Sequence, residues 1–302
     1  MKKERIDVKI VVMEAVSMEI ITLKNDKLTV EVSTLGAQLQ SVECGGREYL
    51  WHGDPDVWQG RAPLLFPICG GLKDDKYTVG GKEYSLQKHG FARFKEFAPE
   101  SVSESAATFL LTADSETREM FPFEFELRVT YTLDGASVKV GYDVKNTSAD
   151  TMYFSIGAHE GYACPEGIEE YHLEFEKKER LTTNELHGNL LSDSVTVLGE
   201  DIDALPLKYD YFSIDALTFL NLKSRSISLV KNDGTRRLRV DFDGFDNTFV
   251  WTKPGAKYLC IEPWCGLPDF EGTGYEIENK RAIEKAAPGE SFSRVHTFTV
   301  EK

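Results

Sequence analysis

The chain holds 302 residues, 41% of them hydrophobic and 28% charged. That balance is globular and the length allows a large core, so disorder is a poor reading. Lys and Arg number 35 against 50 Asp and Glu, a formal charge of −15, which argues against nucleic acid and anionic membranes as partners, because both are held by basic side chains. Five cysteines, an odd number at low density, are not a disulfide framework and fit a reduced, cytoplasmic setting.

Residues 1–17 start with Met1-Lys2-Lys3 and carry one short apolar run, Ile10 to Met13, stopped by Glu14. No small-residue cleavage site follows, so a secretory signal is not expected. The segment reads as an N-terminal extension ahead of one domain over 18–302. No stretch approaches the roughly 20 apolar residues of a membrane span.

Period-two alternation dominates from there on. Leu28, Val30 and Val32 alternate with polar residues, as do Phe125 to Leu133, Val138 to Val144, and Leu238 to Phe242. One face in and one face out is the pattern of half-buried strands. Asp134-Gly135 and Gly80-Gly81 supply the chemistry of tight hairpin turns. Helical periodicity is scarce. Ser115 to Met120 is expected to form one short helix before Pro122, with Ser115 as its cap. The expected fold class is all-β, a single large antiparallel β-sandwich.

Several chemistries are set aside. The chain has no phosphate-binding P-loop, no G-x-G-x-x-G turn, no G-x-S-x-G elbow and no H-E-x-x-H or paired C-x-x-C arrangement. No metal site is expected, and Cys260 and Cys265 read as small apolar residues.

Three segments break the alternation with Gly, Pro, His and acidic residues. They are Arg61 to Leu72 followed by Lys88 to Arg93, Ser155 to Tyr162, and Cys260 to Pro268. Glu262 follows the apolar stretch Tyr258 to Ile261, and a carboxylate at the end of a buried strand is costly unless paired or useful. His159 follows an apolar run at a glycine-flanked break, and His89 precedes Gly90, where the chain turns easily. Glu and His are the usual proton acceptor and donor near neutral pH. A structural reading of each remains open at this point: a lone histidine beside a strand is commonly just hydrogen-bonded. Trp264 suits either stacking on a ligand or core packing. His52, His172, His187 and His296 have ordinary surroundings and read as structural.

Taken together, five stretches resemble the aldose 1-epimerase (galactose mutarotase-like) family, LacX-like branch. They are Leu64 to Leu72, His89 to Arg93, Ser155 to His159, Asp215 to Phe219 and Cys260 to Leu267, and the likeness spans approximately residues 19–300. The resemblance implies a β-supersandwich with a sugar cleft and a cofactor-independent isomerase that interconverts the α and β anomers of an aldose. By position it implies Glu262 as base, His159 as acid, His89 as second histidine and Asp215 as a sugar-binding aspartate. With Glu262 ionised and His159 protonated, a bell-shaped pH profile is expected. Two departures stand out. The family often has Arg where this chain has Gly71, so that contact is lost or comes from Arg61, Lys73 or Arg93. LacX-like chains commonly read His-Pro-Ala-Phe where this one reads His159-Glu160-Gly161-Tyr162; a Glu160 facing the acid would raise the His159 pKa, whereas alternation points it away. A hexose-6-phosphate substrate would need a cationic pocket, with Arg61, Lys73, Lys88 and Arg93 as candidates. A non-catalytic carbohydrate-binding protein on the same fold is the third expectation.

Overall fold

The computed structural model describes residues 18–301, and the expectation about residues 1–17 lies outside them. The alternating runs are strands in the expected register. Along Phe125–Asp134 every second side chain is buried, and this strand pairs with Ser137–Asn146 across Gly135, which takes the left-handed φ of 58°. Lys76–Val79 and Lys82–Ser85 pair across Gly80-Gly81, both left-handed as a two-residue hairpin turn requires. The short helix spans Ser115–Met120 as expected, but its cap is Asp114: the carboxylate accepts from the Thr117 N–H at 2.6 Å, while the Thr117 hydroxyl accepts from the Asp114 N–H at 2.8 Å. Ser115 is therefore the first helical residue, because the reciprocal pair needs an oxygen three residues ahead of Thr117.

A nine-stranded sheet forms one layer. In spatial order it runs Leu190–Pro206, Tyr171–His187, Ser226–Lys231, Arg237–Asp241, Ser291–Glu301, Ser137–Asn146, Phe125–Asp134, Ala106–Thr112 and Ala98–Val102. Against it packs a smaller sheet ordered Ile156–Gly157, Tyr258–Cys265, Asn247–Trp251 and Leu217–Leu220, with Gly161–Ala163 also on Tyr258–Cys265. All the strand pairings in these two sheets are antiparallel. Side chains cross between the layers: Phe175 meets Phe219 and Tyr162 meets Phe298, edge to face. One continuous hydrophobic core runs from Leu23 to Val300 and takes side chains from both sheets. The fold is thus an all-β antiparallel sandwich. Among the described residues no helix is long and apolar enough to cross a membrane.

Tyr258–Cys265 is buried at every position, so both of its faces are covered. Leu259 and Ile261 belong to the shared core. Cys260, Glu262 and Trp264 alternate with them on the other face, where Glu262 and Trp264 line the cleft described next.

Candidate active site

The site is a consequence of strand register. Gly157 pairs with Trp264, and Gly161 with Cys260, on the same central strand. Carried through the intervening residues, that register sets His159 across from Glu262. Their side chains meet there, His159 Nδ1 lying 3.5 Å from Glu262 Oε1. On the next strand Phe249 pairs with Glu262 and Trp251 with Cys260. Glu262 therefore sits inside the strand, not at its end as its sequence context suggests. Its neighbour Phe249 stacks on Trp264 at 3.8 Å between ring centres, and the Trp264 indole N–H donates to the Ala158 carbonyl at 3.0 Å.

His89 arrives from a different direction. Lys88-His89-Gly90 turns through left-handed backbone at both His89 (φ 69°) and Gly90 (φ 67°). A Cβ at Gly90 would collide with the Phe66 carbonyl, so glycine is required for this close approach. The His89 N–H donates to the Gly70 carbonyl at 2.8 Å, and the Gly70 N–H donates back to His89 Nδ1 at 3.0 Å. An Nδ1 that accepts carries no proton, so the neutral ring keeps its proton on Nε2. The two histidine rings lie 5.5 Å apart, edge to face.

These groups line an open cleft of about 470 Å³, together with Lys88, Arg93, Asp215 and Asn189, a size that suits a small ligand. Trp58 and Trp251 wall the His159 side, their ring centres 5.3 and 5.7 Å from the imidazole. Asp215 Oδ1 accepts from the Ala216 N–H at 2.9 Å, and Asp215 Oδ2 lies 3.5 Å from Lys88 Nζ. Arg93 donates to the Lys88 carbonyl at 2.8 Å.

Burial governs the protonation states. It pushes the Glu262 carboxyl well above the usual carboxylate range; Lys88 opposes this, and Asp215 and Glu160 add to it. It drives His159 down to about 3, against a hydrogen bond to its own backbone and with help from Lys88 and Arg93. His89 is also held well below the ordinary imidazole range by burial, with His159, Lys88 and Arg93 contributing. Both shifts favour a carboxylic acid beside a neutral imidazole. That form holds the same number of protons as a carboxylate beside an imidazolium, and one proton shift converts them. The ionised Glu262 and charged His159 expected for the reaction are the forms that burial disfavours here.

Among the described residues, three metal-ligating side chains gather at His159, Cys260 and Glu262, with ligand atoms within 4.8 Å of one another. The buried Cys260 thiol is pushed well above its usual range, chiefly by loss of hydration and then by Glu262 and Glu160, and a protonated thiol is a poor ligand.

Of the residues singled out in the sequence, Glu262, His159, His89, Asp215, Arg93 and Trp264 converge on the cleft, and Lys88 joins them. Arg61 and Lys73 are not part of its lining. Arg61 turns back to the Gln40 carbonyl. Lys73 is held through its backbone N–H by Asp269 at 2.9 Å, with its ammonium 5.3 Å from the Tyr275 ring centre. Glu160 points to the opposite face, as alternation expects, and reaches His296 Nε2 at 3.2 Å inside the sandwich. Trp58, Trp251 and Asn189 line the cleft without having stood out in the sequence. Trp251 ends an apolar run, a detectable signal. Trp58 lies in an aperiodic Gly- and Asp-rich loop and gave none.

The chain matches the family model described as aldose 1-epimerase over residues 19–283. It is 38% identical over 295 residues to the plasmid-encoded protein LacX of Lactococcus lactis subsp. lactis, covering 93% of this chain and 99% of that protein. Two solved structures share its architecture. A galactose mutarotase related enzyme from Lactobacillus acidophilus superposes with a TM-score of 0.88 at 31% identity, covering 94% of this chain and 98% of the other. A galactose mutarotase-like protein from Lactobacillus casei gives 0.89 at 27% identity, covering 94% and 100%. The family match over residues 19–283 and the near full-length LacX relative agree with each other, and this chain belongs to the aldose 1-epimerase family.

Proposed function

We propose that this protein is a mutarotase, an isomerase that interconverts the α and β anomers of a hexose by opening and closing the ring, without a cofactor. The observation that carries the reading is the Glu262–His159 pair, a buried carboxyl 3.5 Å from a buried imidazole on the wall of an open cleft. Glu262 acts as base and His159 as acid. Binding begins the reaction, since sugar hydroxyls donating to Glu262 favour its carboxylate and move the shared proton to His159. The carboxylate takes the proton from the C1 hydroxyl while His159, with Nδ1 on the Glu262 side, presents Nε2 to the ring oxygen. The C1–O5 bond breaks, its electron pair takes the proton from His159, and C1=O forms. Rotation about C1–C2 exposes the other carbonyl face. Closure runs the same transfers backward and restores the pair. Each positioned acid or base contributes about 10²–10⁴-fold.

His89 acts as a hydrogen-bond donor. Its Nδ1 is occupied by the Gly70 N–H, so Nε2–H is free to steady the oxygen that gains charge. Asp215 and Lys88 orient hydroxyls, a contribution of proximity. Trp58 and Trp251, whose rings flank His159 in the cleft, offer apolar surface to the sugar ring. Arg93 and Lys88 favour a second reading, a phosphorylated hexose, and Lys253 adds a third cation to the cleft; the Lys88 contact to Asp215 already engages part of that charge.

The test is optical rotation of freshly dissolved α-glucose, α-galactose and glucose-6-phosphate. Acceleration over buffer with either free sugar supports the first reading, and selective acceleration of the phosphorylated sugar supports the second. Saturable sugar binding with no acceleration would mean a carbohydrate-binding protein and overturn both.

A further inference from the structure

The hairpin formed by Tyr171–His187 and Leu190–Pro206, 17 residues in each arm, is larger than the nine-stranded sheet needs. Its first arm pairs with Ser226–Lys231 only as far as Phe175. Beyond that point several register shifts bend it, as bulges do, and it crosses to the smaller sheet. There the Asn184 N–H donates to the Thr218 hydroxyl at 2.8 Å, and the Thr218 N–H donates to the Thr183 hydroxyl at 2.9 Å. The outer arm is exposed over Asp193 to Val197, while Leu186 and Leu191 beside the turn join the buried cluster of Leu65, Phe249 and Trp264.

The tip, by contrast, is tied down. The Leu191 N–H donates to the Asp269 carbonyl at 2.8 Å, and the Glu271 N–H donates to the Leu191 carbonyl at 2.9 Å. His187 Nδ1 lies 2.9 Å from Glu271 Oε1. Asp269 is itself fixed by the buried Lys280 ammonium at 2.6 Å, and its N–H donates to the Gly71 carbonyl at 3.0 Å. The turn is Gly188-Asn189, with Gly188 at φ 64°. Asn189 rests on Gly71 so closely that a Cβ at position 71 would stand 2.5 Å from the Asn189 Cβ and 3.0 Å from its carbonyl oxygen. Asn189 is exposed, and it lines the cleft.

We propose that Asn189 is a specificity-determining residue: the hairpin delivers its side-chain amide to the cleft, where it binds one hydroxyl of the sugar. An amide offers both a donor and an acceptor, which matches a hydroxyl that does both. Gly71 is small because the tip must sit on it, and the space a side chain there would fill is given to Asn189. This inference rests on the mutarotase reading.

The test measures anomer exchange for the preferred hexose and its 2-, 3-, 4- and 6-deoxy analogues, in the native protein and in Asn189→Ala. The variant is expected to lose about tenfold in kcat/KM for the parent sugar, mostly through KM, with melting temperature and the pH dependence of kcat unchanged. One deoxy analogue, already poor for the native protein, should show no further loss in the variant, which identifies the hydroxyl. Gly71→Ala, which displaces the tip, should reproduce the pattern. An unchanged kcat/KM in Asn189→Ala, or an equal loss with every analogue, overturns the proposal. A native protein that accelerates no sugar would instead overturn the mutarotase reading, and that result is seen before any variant is made.

Discussion

His159 and Glu160 are neighbours in the chain and point to opposite faces of one sheet, and each meets its complement there. His159 faces Glu262 at 3.5 Å, and Glu160 faces His296 at 3.2 Å. Both pairs are buried, the second more completely: His296 has no exposure and Glu160 only 3%. Tyr142 stacks on His296 inside the sandwich, whereas His159 has two tryptophans and an open cleft beside it. Composition and burial are therefore shared, and access is what differs. A buried acid–imidazole contact does not by itself make a reactive centre; it needs a wall open to a ligand and further donors aimed into the same space.

That contrast is broken most sharply at the histidines. His159→Gln should lower kcat for anomer exchange by about 10²–10⁴-fold, while His296→Gln should leave it within about threefold. Equal losses would mean that the two pairs act as one unit. His89→Ala should cost roughly 10–100-fold, the value of one hydrogen bond to a group gaining charge, without moving either limb of the pH profile, because His89 donates a bond and carries no transferred proton.

The pH profile sharpens the same point. The reactive pair keeps its shared proton between the depressed pKa of His159, about 3, and the raised pKa of Glu262. Below the first it gains a proton and lacks a base; above the second it loses one and lacks an acid. The rate should therefore pass through pH 6.5 without an inflection on the acid side, as stopped-flow polarimetry across pH 5–8 would show. A fall in rate with a midpoint near 6.5 on lowering the pH would indicate an ordinary, solvated histidine. The smallest kinetic effect belongs to the sealed pair. Glu160→Ala should reduce stability by about 2–3 kcal/mol, because it leaves a cavity beside the buried His296, and should change kcat less than threefold; urea unfolding and exchange rates check the two halves.

Much of this was legible in the sequence because period-two alternation reports directly which face of a strand is buried. Phe125 to Leu133 and Val138 to Val144 revealed their hairpin in that way. Glu262, His159 and His89 were visible because charged or titratable groups interrupt apolar or glycine-rich segments. The partnership of His159 with Glu262 was not legible from alternation alone, since it depends on strand register between segments a hundred residues apart. Arg61 and Lys73 flank the same loop in sequence as cleft residues, but a long side chain can turn either way: Arg61 caps Gln40 and Lys73 lies against Tyr275. The 171–206 hairpin escaped notice because bulges repeatedly reset its alternation, although Gly188-Asn189 was a recognisable turn. The short helix shows the same limit on a smaller scale, since a cap belongs to whichever side chain reaches the N–H groups, here Asp114.

The most direct measurement compares Glu262→Gln with Glu160→Gln, the same chemical change on the two faces, by NMR exchange of α and β anomers alongside thermal unfolding. Glu262→Gln is expected to fall to the buffer rate while melting at or above the native temperature, because an amide, unlike a carboxyl whose pKa burial raises, takes up no proton when it is buried. Glu160→Gln is expected to keep a near-native rate. Native-rate exchange by a folded Glu262→Gln protein would contradict a catalytic role for that carboxyl.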